Sequence, residues 1–223
     1  MTLRLSIISS NISSIMQSNK HLEVLSASQK KLLPLVRMFY DKFYLAGGTA
    51  IALQLGHRRS IDFDLFSFKK IDQRKIRSVI VKHHKINKTI IDEQCEYTII
   101  VDGVKMTFLH YPFKIKPSKR FDDYIRMPDL AALAAMKAYA LGRRAKWKDY
   151  VDLYWIMEKQ ANILEIIKNA RAIFGAEFNE KNLRKQLAYF KDIDYSEEVD
   201  WLADFKISDK DIKKSLTDNS LKQ

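Results

Sequence analysis

The chain has 223 residues, with 39 Lys and Arg against 27 Asp and Glu and a formal net charge of +12. At 47% hydrophobic it can build a packed core, and the length suits one large or two small domains. A charged fraction of 30%, with no apolar run near ~18 residues, excludes a membrane-spanning helix, and 6 Gly and 4 Pro exclude collagen-like and Gly/Pro-rich disordered chains.

Residues 1–16 carry one Arg and an apolar stretch broken by Ser and Asn, a poor secretory leader. Cys95 is the single cysteine, so no internal disulfide can form and a reducing cytoplasm fits. The expectation is a cytoplasmic protein with no membrane partner. The excess charge is uneven: residues 1–60 carry +6, residues 61–128 carry +5 and residues 129–223 carry +1. Lys137, Arg143, Arg144, Lys146 and Lys148 form a later basic cluster, and Asp192 to Asp211 holds eight acids. The charge alone fits either a Lys-rich solvated surface or a polyanion-binding half followed by a near-neutral segment. The acidic stretch could pair with the basic half or with a partner.

In chain order, residues 20–38 show helical spacing, with a kink or break at Pro34. Residues 43–46 read as a short buried strand, Gly47-Gly48 as a turn, and residues 49–55 as a short helix capped by Thr49 or by that turn. Residues 61–68 alternate as a second strand, and residues 72–84 look helical with Asp72 as cap. Three β-prone runs follow between Ile86 and Tyr111, the last two joined by Asp102-Gly103, a strong hairpin signal. Pro112, Pro117 and Pro128 punctuate a basic connector. Beyond it, helices are predicted at 129–141, 147–158, 161–173 and 178–191, with weaker ones after Tyr195. The fold class expected is α+β: a mixed, twisted sheet flanked by helices over 1–125, then an all-helical domain over 126–223, with the active cleft between them.

The chemistry is concentrated between Leu45 and Phe66, LAGGTAIALQLGHRRSIDFDLF. On a strand, Asp62 and Asp64 project from one face about 6–7 Å apart, while Ile61, Phe63 and Leu65 face a core. Two carboxylates so placed repel unless a cation lies between them, and a hard divalent ion, Mg²⁺ or Mn²⁺, is the natural companion. A DxD pair alone also occurs on solvated strand edges. Gly47 and Gly48, between a strand and a helix, let backbone N–H groups approach an anion at a helix N-terminus, and Thr49 can add a hydroxyl. Such a turn is also an ordinary helix cap. Neither a Walker loop nor a dinucleotide fingerprint is present. Together, the glycine turn, His57-Arg58-Arg59-Ser60 and the DxD strand put an anion cradle and a metal site on adjacent elements, which suits a nucleoside triphosphate with Mg²⁺ bridging its phosphates.

GGTAIALQLGHRRSIDFDLF resembles the signature of the nucleotidyltransferase superfamily that includes DNA polymerase β, and within it the AbiEii/AbiGii-type toxins of abortive-infection and toxin–antitoxin systems. A second stretch is similar to that branch's helical segment: Leu130 to Ala138 with Lys137, then Arg143-Arg144, then Lys148-Asp149-Tyr150-Val151-Asp152-Leu153. The matches cover roughly residues 40–160. The resemblance implies that Gly47, Gly48 and Thr49 hold the triphosphate, that Asp62 and Asp64 bind the metal, and that Arg58 and Ser60 support the phosphates or the metal loop. It further implies that Lys137 neutralises the β- and γ-phosphates and that Asp152, with Asp149, completes the pocket. On residues alone, Lys137 also reads as a snorkelling surface lysine and Asp149 as a helix-terminal carboxylate.

The activity implied is transfer of a nucleoside monophosphate from an NTP to an acceptor hydroxyl, an RNA or tRNA end received by Arg143, Arg144, Lys146 and Lys148, in a toxin accompanied by an antitoxin protein. One departure stands out. Many superfamily members carry a third carboxylate on the following strand, where this chain aligns Thr107, and a hydroxyl is neither a carboxylate base nor an anionic ligand. The base then comes from elsewhere, for example Asp149 or Asp152, or the fold has lost its chemistry and serves as a nucleotide- or nucleic-acid-binding module. Transfer to a small molecule or to a protein hydroxyl is a third reading. His83-His84, His21, His110 and Cys95 read as structural or surface residues. Trp147, Tyr154 and Trp155 read as core, and Tyr139 and Tyr150 stay undecided.

Overall fold

In a computed structural model that describes residues 21–223, the alternating segments build one five-stranded sheet. The leader reading of residues 1–16 lies outside the described residues. The strands are β1 (Tyr44–Ala46), β2 (Phe63–Ser67), β3 (Ile86–Glu93), β4 (Glu96–Val101) and β5 (Val104–His110), in the spatial order β1-β2-β5-β4-β3. β2 and β5 run parallel and the other neighbours antiparallel, so the sheet is mixed and the fold α+β. Asp102 and Gly103 both have positive φ, 48° and 83°, the backbone of a primed two-residue turn whose twist matches that of the strands it joins.

The first predicted helix is broken, as its proline requires. α1 (Ala27–Lys31) opens with a reciprocal cap between Ser26 and Gln29, and α2 (Leu33–Arg37) takes Pro34 into its first turn, where a missing N–H costs no helical bond. α3 (Gly47–Leu55) follows β1 without a loop. It begins at Gly47 rather than after the glycines, no side chain caps it, and Gly56 at φ 70° ends it. Thr49 therefore lies inside the first turn and does not serve as cap. Asp72 caps α4 (Gln73–Ile80) by accepting from the Lys75 N–H at 3.0 Å, and the chain then turns, short of the expected His84. The proline-marked connector contains a small hairpin, β6 (Lys119–Phe121) with β7 (Ile125–Met127), and β7 packs beside β1. Its polar, proline-flanked sequence gives no alternation to read.

From Leu130 onward every long element is helical: α5 (Leu130–Leu141), α6 (Trp147–Lys159), α7 (Ile163–Phe174), α8 (Glu180–Ala188) and α9 (Asp209–Ser220). α5 is apolar around nearly its whole circumference and is buried accordingly, packing on α3, α6, α7 and α8. One continuous hydrophobic core runs from the sheet through α3 and α5 into the helices. Trp147, Tyr150 and Tyr154 are buried in it, with Trp155 at its edge. Among the described residues, no helix is long and apolar enough to cross a membrane.

Candidate active site

The sheet, the start of α3 and the buried faces of α5 and α6 converge on one cavity of about 400 Å³. The glycine pair brings them together. Gly47 has φ 64°, a backbone that side-chain-bearing residues disfavour. A Cβ on Gly47 would stand 2.0 Å from Asp64 Oδ2, and one on Gly48 would stand 2.4 Å from Arg58 Nη2. The glycines thus admit a carboxylate and a guanidinium against the first turn of α3, and both line the cavity. Thr49 lies behind them and faces inward. Its hydroxyl donates to the Asp62 carbonyl and stands 2.8 Å from the Ser60 hydroxyl, tying α3 to the loop that leads into β2. Thr49 lines no part of the cavity, whereas Ser60 does.

Asp62 and Asp64 both face the cavity, with Phe63 and Leu65 buried behind them. Ile61, expected in the core, is 63% exposed because it precedes the first residue of β2, where the alternation has not begun. Burial first, and the charge of Asp62 second, push the Asp64 carboxyl above its ordinary range, against the pull of Lys137, Lys105 and Arg144. β5 supplies the wall beside them. Thr107 is the register partner of Asp64, and Lys105 places Nζ 2.6 Å from Asp62 Oδ2. Burial pulls the Lys105 ammonium down in pKa, but its hydrogen bond and charge pairing with Asp62 raise it further. On β4, the Thr98 hydroxyl donates to Glu96 Oε1 at 2.8 Å and lies 3.3 Å from the Thr107 hydroxyl. Glu96 lines the same cavity.

The opposite wall is a buried ion-pair network. Arg58 grips Asp152 bidentately, Nε to Oδ1 at 2.7 Å and Nη2 to Oδ2 at 2.9 Å. His57 Nε2 lies 2.8 Å from Asp152 Oδ1, and Lys137 Nζ lies 2.9 Å from Asp152 Oδ2 and 2.5 Å from Asp149 Oδ1. Arg144 Nε donates to Asp149 Oδ2 at 3.0 Å. Burial works against both carboxylates, yet Arg58 and Lys137 hold Asp152 well below the usual carboxylate range, and Lys137 and Arg144 hold Asp149 below it. Burial likewise opposes the Lys137 charge, and Asp149 and Asp152 more than offset it. Burial pushes the His57 imidazole down in pKa against the pull of Asp152; its Nε2 faces that carboxylate, and its Nδ1 is buried with no described partner. Lys137 is therefore no snorkelling surface lysine: it is buried, and its amine reaches the cavity wall. Asp149 also lines the cavity, whereas Asp152 is fully buried beneath Arg58 and Lys137.

The basic cluster divides. Lys146 and Lys148 line the cavity and share Glu197, at 2.6 Å and 3.4 Å. That hydrogen bond and the two ammonium charges hold the Glu197 carboxyl down to about 2. Arg143 instead lies over the Tyr139 ring, 3.6 Å from its centroid, at an adjoining apolar cavity of about 240 Å³. Part of the acidic stretch pairs within the chain. Its backbone bridges to Arg59 through Asp200 and to Trp147 through Asp194, and Glu197 meets the two lysines. Lys105, Glu96 and Glu197 are the site residues that sequence reading missed. Lys105 stands two residues before Thr107, which was a signal, but only the pairing of β5 with β2 says which residues it faces. Cys95 and His110 do meet, Sγ to Nδ1 at 3.9 Å, on the exposed β4–β5 end away from the aspartates.

The model of the family described as "Nucleotidyl transferase AbiEii toxin, Type IV TA system" matches residues 38–120 and 98–218. An uncharacterized protein of Aquifex aeolicus is 32% identical over 156 residues, 68% of this chain and 75% of that protein. Among solved structures, the MenT4 nucleotidyltransferase toxin of Mycobacterium tuberculosis H37Rv superposes with a TM-score of 0.62 at 12% identity, covering 86% of this chain and 80% of that one. JHP933 of Helicobacter pylori gives 0.53 at 19% identity, covering 88% and 91%. These two likenesses carry the fold, and the family match carries the activity class. Because that match takes in the glycine turn, the DxD strand and the Lys137–Asp152 wall alike, the chain belongs to the AbiEii nucleotidyltransferase toxins of type IV toxin–antitoxin systems, and is a transferase.

Proposed function

We propose that the 400 Å³ cavity binds a nucleoside triphosphate and that the protein transfers its nucleoside monophosphate to an acceptor hydroxyl on RNA, with pyrophosphate leaving. The observation that carries this reading is the division of the cavity into two walls: a carboxylate pair at the start of β2, and across from it cations each backed by a buried or shared carboxylate. Gly47 and Gly48 offer the free N–H groups of a helix start to the triphosphate. Lys137 and Arg144 are held on their far side by Asp149 and so present donors to the β- and γ-phosphates without reorganising. Ser60 adds a hydroxyl beside Gly48. Asp152 acts as a positioning residue, since all its capacity is spent on His57, Arg58 and Lys137.

Asp62 and Asp64 suit a hard divalent cation: both are oxygen donors lining one cavity, and Gly47, without a Cβ, lets the Asp64 carboxylate sit at the start of α3. Magnesium or manganese bound there would polarise the α-phosphate as a Lewis acid. The base is not Asp149 or Asp152, whose cationic partners make them poor proton acceptors. Glu96 lines the cavity beyond Thr107 and has no cationic partner among the described residues; it would accept the proton of the acceptor hydroxyl. Lys146 and Lys148 at the cavity wall, and Arg143 beside it, favour a polyanionic acceptor over a small molecule or a protein. The antitoxin of such a system and a cytoplasmic site of action complete the reading.

Thr107 beside Asp64 favours a second reading, a nucleotide-binding module without turnover. Incubation with labelled NTPs, Mg²⁺ and total RNA separates the two. Label on RNA that is lost with Asp64→Ala supports transfer. Label transfer unchanged by Asp64→Ala overturns the site, and NTP binding with no transfer to any acceptor supports the module.

A further inference from the structure

The carboxylate pair already faces a cation that belongs to the chain. Asp62 and Asp64 lie two residues apart on one face, and Lys105 and Thr107 lie two apart on the neighbouring strand, with Thr107 in register beside Asp64. The four side chains form a square whose corners are two carboxylates, an ammonium and a hydroxyl. The ammonium is bound to one corner, Lys105 Nζ to Asp62 Oδ2 at 2.6 Å. Asp62 has no other described side-chain partner, since Thr49 and Gln29 meet only its backbone carbonyl. Among the described residues Asp64 makes no ion pair; Gly47, which lacks a Cβ, and its register partner, the neutral Thr107, lie beside it.

Two-metal sites hold their ions roughly 3.5–4 Å apart between shared carboxylates. Here the square carries one net negative charge, and a divalent ion sharing Asp62 Oδ2 would have to compete with the ammonium already bound there. Among the described residues no third His, Cys, Asp or Glu, Glu96 included, lies close enough to Asp62 and Asp64 to complete a metal cluster, so a second such ion has neither a further ligand nor freedom from like-charge repulsion. We infer that Lys105 takes the place of one metal ion, so that the site admits a single divalent cation, held by Asp64 and the free oxygen of Asp62, together with the nucleotide. The inference rests on the nucleotide-binding reading above. In this arrangement Lys105 keeps Asp62 oriented toward the cavity and supplies permanent positive charge on the β5 side.

The test counts ions. The full-length protein is titrated with Mn²⁺ in the presence of an NTP analogue with a non-hydrolysable α,β-bridge, and bound ions are counted by electron paramagnetic resonance and calorimetry. One Mn²⁺ per protein–nucleotide complex is expected for the wild type and for Lys105→Arg, and two for Lys105→Met. In the absence of nucleotide, Lys105→Met should bind Mn²⁺ at least tenfold more tightly than the wild type. Two ions in the wild type overturn the assignment, and so does a folded Lys105→Met that still binds one. If Lys105→Met does not fold, the wild-type and Lys105→Arg counts decide alone. A wild type that binds analogue with two ions refutes only the role of Lys105, whereas one that binds no analogue refutes the nucleotide reading as well.

Discussion

The carboxylate of Asp64 is pressed against the backbone of Gly47, where a Cβ would fall 2.0 Å from Oδ2. Gly47 also holds φ 64°, so two independent demands meet at one residue. Gly47→Ala is expected to cost about 1–3 kcal/mol of stability, read by urea denaturation. Because the added methyl displaces the aspartate, nucleotide transfer should fall by at least tenfold even where the variant is fully folded. Wild-type transfer in Gly47→Ala would contradict the close packing.

Lys137 is the shared partner of two buried carboxylates, at 2.5 Å and 2.9 Å. Lys137→Met leaves Asp149 with Arg144 and Asp152 with Arg58 and His57, but each loses a buried counter-charge. The expected cost is about 3–5 kcal/mol by chemical denaturation, the range for breaking a buried pair from one side. Adding Asp149→Asn should recover part of the loss, since it removes the carboxylate left short of charge. A single variant as stable as the wild type would show that the network does not rely on the lysine.

Acid should weaken the fold through this same wall. Asp152 and Asp149 have folded pKa values below their unfolded ones, so their contribution is complete above the unfolded value, about 3.9, and drains away as pH falls through it toward the folded values. Melting temperatures taken from pH 7 down to pH 3 should fall most steeply at the acid end. In Asp152→Asn that acid slope should flatten, on top of a lower starting stability at neutral pH.

Asp64 has the opposite sign. Its folded pKa is raised, so its charge costs stability above the unfolded value, and the cost is relieved as pH falls and the carboxyl takes up a proton. Asp64→Asn is therefore expected to melt higher than the wild type at pH 7, with the advantage shrinking on acidification, while transfer is abolished. A variant that melts lower at pH 7 would mean that the carboxylate is stabilising in the absence of a bound cation.

Glu197 holds Lys146 and Lys148 at the cavity wall. Glu197→Gln removes a negative charge and releases both ammonium groups, so RNA affinity at low salt should rise several-fold. A plot of log affinity against log salt should steepen by about one to two released counterions. Unchanged affinity would place the acceptor elsewhere on the surface.

The amino-acid sequence by itself determined what depends on neighbours in the chain. The alternation of Phe63 and Leu65 with Asp62 and Asp64, the glycines between strand and helix, the Asp102-Gly103 turn, the break at Pro34 and the apolar circumference of α5 are local patterns, and local sterics and periodicity read them directly. What lies across from each residue was settled only by tertiary structure. A strand alternates with a period of two whichever strand it pairs with, so nothing local says that β5 runs parallel to β2 and brings Lys105 to Asp62 and Thr107 to Asp64. Nor can spacing tell that Asp149 reaches the cavity while Asp152, one helical turn on, is sealed beneath Arg58 and Lys137. The acidic stretch shows the same division: its charge is plain in the sequence, but whether it serves a partner or its own chain depends on where the fold returns it, and here it returns to Lys146, Lys148 and Arg59. Burial and long-range pairing turn a basic chain with a DxD strand into two charged walls, because a charge acquires its counterpart, and a carboxylate its proton affinity, only from what is packed against it.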